Sequence, residues 1–69
     1  MNRGPYAIVS ESTEDRFDEV ESLDEALRIA RDVAREGRAG DLIAIEHNGR
    51  VIHQLVLTPA GVVEEAPVR

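Results

Sequence analysis

Asn48-Gly49 lies between two β-branched apolar runs, Leu42-Ile43-Ala44-Ile45 and Val51-Ile52 through Leu57. That dipeptide accepts the positive φ angles of a type I′ turn, so it predicts a two-residue β-hairpin. A tight turn also dictates register. An unbroken ladder from this turn pairs His47 with Arg50, Ile45 with Ile52 and Ile43 with Gln54. Between them it pairs Glu46 with Val51, Ala44 with His53 and Leu42 with Leu55. Side chains alternate along a strand, so one face shows Ile43, Ile45, Ile52 and Val56, and the other Leu42, Ala44, Val51, Leu55 and Leu57. Both faces are apolar, and the chain offers one helix. An apolar face without a lid calls for a second polypeptide.

That helix is marked at both ends. Ser22-Leu23-Asp24-Glu25 is a capping-box pattern in which Ser22 caps the first amides and Glu25 reaches back to Ser22. Leu23, Ala26, Leu27, Ala30, Val33 and Ala34 recur at helical spacing, with Ile29 off the stripe. Asp24 and Glu25 suit the positive end of the helix dipole and Arg35 the negative end, and Asp24 and Arg28 form an i,i+4 pair. Gly37 reads as a left-handed cap, which gives a helix over 23–36.

The flanking segments read as strands. Tyr6-Ala7-Ile8-Val9 follows Gly4-Pro5, and Glu11 to Asp15 is polar turn material. Arg16 to Val20 fits a half-exposed strand, although Phe17, Val20 and Leu23 also fit an early helix start; the strong cap at Ser22 favours the strand. Thr58-Pro59-Ala60-Gly61 places Pro and Gly where a type I turn wants them, so Val62 to Glu64 is expected as a short edge strand and 66–69 as a frayed tail. The predicted order is β-β-α-β-β-β, one α+β domain with an antiparallel sheet and one helix in two layers.

Sixty-nine residues leave a small core, and with no cysteine neither a disulfide nor a thiolate metal site supports it. An apolar content of 42% argues for a folded chain. No run reaches the length of a membrane span and Met-Asn-Arg-Gly-Pro lacks the apolar core of a signal peptide, so a cytoplasmic protein away from membranes is expected. The formal charge of −6 is unevenly placed. Residues 1–25 hold eight acids against two arginines, while 26–69 hold six of each sign. Such a field repels phosphate, which disfavours direct nucleic-acid binding, and attracts basic protein surfaces.

Catalytic, cofactor and metal signatures are weak. The unbroken register sends His47 and His53 to opposite faces, so they cannot share a metal, and a zinc site needs three or four ligands. Glu46 and His53 would be diagonal neighbours, but no nucleophile accompanies them. Gly37-Arg38-Ala39-Gly40 follows a helix, whereas a phosphate cradle opens onto one. Tyr6 and Phe17 are too few aromatics for base stacking. No catalytic residue, cofactor or metal site is assigned.

Arg16-Phe17, then Ser22-Leu23-Asp24-Glu25-Ala26, Ile29-Ala30 and Val33-Ala34, followed by the strand pair around Asn48-Gly49-Arg50-Val51, resembles small bacterial ββαββ domains of unknown function. The same order, with a further strand after Gly61, is similar to phage-encoded type I-F anti-CRISPR proteins, with Gly40, Ile45-Glu46 and Asn48-Gly49 at comparable places. The resemblance implies binding to a CRISPR surveillance complex where target DNA would lie. One departure is that those inhibitors use basic residues where this chain is acidic, so no functional residue carries over and a DNA-mimic mode is implied instead.

The expected function is a non-enzymatic protein-interaction module. Its acidic segment (Glu11, Glu14, Asp15, Asp18, Glu19 and Glu21) would meet a basic surface of a larger complex. The face with Ile43, Ile45, Ile52 and Val56 would form a homodimer or meet the partner. The alternative is a homodimeric housekeeping domain whose acidity only keeps it soluble.

Overall fold

The computed structural model describes residues 4–68. Strands β1 (Tyr6–Ser10) and β2 (Arg16–Val20) precede helix α1 (Leu23–Glu36), and β3 (Leu42–His47), β4 (Arg50–Leu57) and β5 (Val63–Pro67) follow it. They form one antiparallel sheet in the order β2-β1-β3-β4-β5, with α1 across one face. The α+β class and the β-β-α-β-β-β order are as the sequence predicts, and Arg16–Val20 is a strand.

Local chemistry accounts for the boundaries. Ser22 Oγ accepts the Glu25 N–H at 3.1 Å and starts the helix. Arg28 lies 4.0 Å from Glu25 rather than pairing with Asp24. Gly37 is not left-handed: at φ −88° and ψ −162° it leaves the helix extended, its N–H donating to the Ala34 carbonyl. Asn48 and Gly49 have φ of 54° and 83°, the two positive angles of a type I′ turn. Gly61 N–H closes the Thr58–Gly61 turn on the Thr58 carbonyl at 2.9 Å, and Thr58 N–H then donates to Val62.

Beyond that first turn the unbroken register is wrong. His47 pairs with Arg50 and Glu46 with Val51, but Ile45 then pairs with His53, Ile43 with Leu55 and Leu42 with Val56. Ile52 is the extra residue of a β-bulge, and everything after it changes face. The energetics favour this. An unbroken ladder would set Gln54 beside Ile43 under the helix, and an unpaired buried amide costs about 1–3 kcal/mol. It would also uncover Leu55, fully buried here and worth about 1.5–3 kcal/mol, in exchange for the smaller Val56. A disrupted ladder bond costs only about 0.5–1.5 kcal/mol.

The bulge decides which face is the core. Ile8, Val20, Ile43, Ile45 and Leu55 pack with the small stripe Ala26, Ala30 and Ala34 of α1, which lets the helix lie close to the sheet. Tyr6, Leu27, Ile29, Val33, Ile52 and Val63 border that cluster. The face expected to meet a partner is therefore corrected: Ile43 and Ile45 are buried beneath the helix and Ile52 packs against the same cluster. Val56, expected beside them, lies on the opposite side, paired with Leu42 and Glu64. The expected fraying after residue 65 is also corrected. Ala66 and Pro67 pair with Gln54 and His53, and Val68 N–H donates to the Ile52 carbonyl at 2.9 Å. Arg69, the end of that expected tail, lies outside the described residues.

Candidate functional site: the open face of the sheet

The face without a helix has a floor of small side chains. Ala7, Val9 and Ala44 cluster there with Val51 beside them, and all but Val51 are buried although, among the described residues, no helix or strand covers them. Long polar neighbours screen them. Arg16, Val9, Ala44, Gln54 and Ala66 follow one another across the five strands, and Glu19, Ala7, Glu46 and Val51 form the adjacent row. Leu42, Val56 and Glu64 form a third row. Moving Leu55 beneath the helix, Leu57 to the same side and Gln54 outward makes this face less apolar than an unbroken register implies.

The face is rich in carboxylates. Glu11, Glu14, Arg16 and Glu46 line a shallow depression over Val9 and Val51. Arg16 lies 3.2 Å from Glu19 and 3.8 Å from Glu46, and Gln54 Nε2 donates to Glu11 at 2.7 Å. With Glu64, five carboxylates share this surface with one guanidinium, a formal charge of −4.

The acidic segment expected to act together is split by the fold. Glu11, Glu14 and Glu19 reach the open face. Asp15 lines a cleft on the helix side, and Asp18 pairs with the core residue Ile8. Glu21 lies near Asp18 and Glu25 at the start of the helix. Glu46 and Glu64 complete the open-face cluster, and a count of charge along the chain misses them. The register alone identifies them.

The histidines are placed differently from expectation. The bulge puts both on the helix side: His47 stacks on Tyr6 with ring centroids 4.5 Å apart, and His53 Nε2 lies 3.2 Å from Glu65 Oε1. Glu46 is thus on the opposite face from His53, and that candidate acid–base pair does not exist. Glu65 accepts two bonds from Arg31 of the helix, at 2.6 and 2.9 Å. These bonds hold its carboxyl below the usual range; His53 adds to the effect and partial burial opposes it. Arg31 is correspondingly raised. The trio ties β5 to α1 and is structural. Among the described residues, no group of three or more His, Cys, Asp or Glu side chains is arranged to hold a metal ion, and no helix is long and apolar enough to cross a membrane.

Compared with known proteins, the chain matches no family model, no curated protein and no solved structure at a significant level.

Proposed function

We propose that the protein is a non-enzymatic binding module whose open sheet face docks on a basic protein surface. The observation that carries this reading is the uncovered face itself, where five carboxylates and one guanidinium surround a screened floor of small side chains. A rigid sheet holds those charges at fixed spacing, so a complementary surface meets them with little ordering cost. Surfaces that hold nucleic-acid backbones present Arg and Lys in such arrays, which favours a DNA-mimic inhibitor of the anti-CRISPR kind. Self-association through this face would bring two copies of the same negative field together, which weighs against a homodimer there.

The test is association with a type I-F CRISPR surveillance complex at about 50 and 300 mM salt, chosen to span a Debye length falling by more than half. Wild type is compared with the triple variant Glu11→Arg, Glu19→Arg, Glu46→Arg. Binding that weakens with salt, competes with target DNA and vanishes in the variant supports the reading. Binding that survives the charge reversal refutes the docking face, and no binding to the complex refutes the anti-CRISPR assignment.

A further inference from the structure

On the helix side, a cleft of about 390 Å³ opens where the β1–β2 turn, the end of α1 and the start of β3 meet. This lies near the low end of the range of about 300–1,000 Å³ for ligand sites. Its existence follows from a second bulge. Ile8 pairs with Asp18 and Val9 with Arg16, so Phe17 leaves the ladder. Its ring stays 46% exposed and lines the cleft together with Val33 and Ile43. Asp15, Glu36 and Asp41 stand on the same walls. Among the described residues Glu36 and Asp41 make no ion pair, and the Asp15 carboxylate accepts the Thr13 hydroxyl at 3.0 Å while its backbone carbonyl accepts the Ser10 N–H. The last turn of α1 adds its own negative end. Its final carbonyls lack helical partners, and Gly37 N–H satisfies that of Ala34 alone.

We infer that this cleft receives an arginine side chain of a partner protein. Four features converge on that occupant. The exposed aromatic ring suits a flat cation stacked on it. Val33 and Ile43 suit the aliphatic stem. The three carboxylates and the helix end supply negative potential. Among the described residues these carboxylates form no metal-binding group, and the planar fork of a guanidinium matches the two oxygens of a carboxylate. The chain's own neighbouring arginines are committed elsewhere, Arg31 to Glu65 and Arg35 to Asp32, and Arg38 lines no part of the cleft. This inference stands apart from the open face, since the two surfaces lie on opposite sides of the sheet.

The test is an amide-detected NMR titration with N-acetyl-arginine N-methylamide, beside the citrulline and lysine counterparts and spermidine. The expected result is saturable shifts centred on Thr13, Asp15, Phe17, 33–37 and 41–43, with the arginine probe binding tighter than the other three. Phe17→Leu and Asp41→Asn should each weaken it about fivefold, with spectra that otherwise retain wild-type dispersion. Shifts that never saturate or that spread to Glu19, Glu46 and Glu64, equal response to citrulline, or indifference to both substitutions would each overturn the assignment. Tighter binding of lysine or spermidine would overturn the arginine identity. Glu64→Gln, on the open face and far from the cleft, should bind the probe as wild type does, so failure of the docking reading leaves this result intact.

Discussion

Replacing Leu55 tests the bulge that organises this protein. Its side chain is fully buried in the helix-side cluster, while Gln54 is half-buried on the open face and bonded to Glu11. Leu55→Ala removes a well-packed side chain and leaves a cavity, a change that costs about 3–5 kcal/mol. A chain of 69 residues has about 3–10 kcal/mol of stability in total, so this variant falls at or near the unfolding limit. Leu55→Val is the graded version, costing about 1 kcal/mol. Gln54→Ala loses one exposed hydrogen bond and costs at most about 0.5 kcal/mol. Urea unfolding followed by far-UV circular dichroism reads these differences. With a slope of about 1 kcal/mol per molar urea, Leu55→Val should move the midpoint down by about 1 M and Leu55→Ala by about 3 M or more. The unbroken register reverses the order, with Leu55 tolerant and Gln54 critical. Finding Gln54→Ala more damaging than Leu55→Val would refute the argument.

Other perturbations have equally definite outcomes. Glu65 titrates below the usual 4.5 in the folded chain because Arg31 bonds its ionised form, so its contribution is full above about pH 4.5 and is lost as pH falls through the lowered value. Glu65→Gln should therefore flatten the acid limb of a plot of urea midpoint against pH from about 2.5 to 6, and an unchanged limb would contradict the Arg31–Glu65 clamp. Ser22→Ala removes the helix cap and should lower stability by about 1 kcal/mol, or Tm by about 4–8 °C, in a calorimetric scan. Gly49→Ala forces a β-carbon onto a φ of +83° and should cost about 1 kcal/mol. Gly37→Ala, at a negative φ, should cost less even though its β-carbon would sit 3.2 Å from the Val33 carbonyl oxygen.

The features legible in the sequence are those governed by neighbours along the chain. Ser22 and Glu25 locate the helix start, Asn48-Gly49 names its turn, and the Ala26, Ala30, Ala34 stripe names the face that meets the sheet. What escaped is governed by packing across the sheet. A bulge at Ile52 is invisible locally, because nothing in Val51-Ile52-His53 departs from strand chemistry. It becomes favourable only when Leu55 competes with Gln54 for the space under the helix. The consequences follow from that one residue: residues 53–57 change face, His53 turns to Glu65 and away from Glu46, and Gln54 and Val56 join the open surface. Gly37 misled for a related reason. Glycine after a helix usually signals a left-handed cap, but here the chain turns away extended, with the Val33 carbonyl close to where a β-carbon would stand. The acidic first third of the chain was visible as composition, yet composition does not distinguish Glu11 and Glu19 on the open face from Asp15 beside the cleft.

The placement of the two sheet faces underlies every functional statement above, and nuclear Overhauser contacts report it directly. Cross-strand contacts are expected between Ile45 and His53 and between Leu42 and Val56, together with contacts from the Leu55 methyl groups to the alanine methyl groups of the helix. Contacts pairing Leu42 with Leu55 and Ile43 with Gln54, with the Gln54 amide against the helix, would overturn that placement.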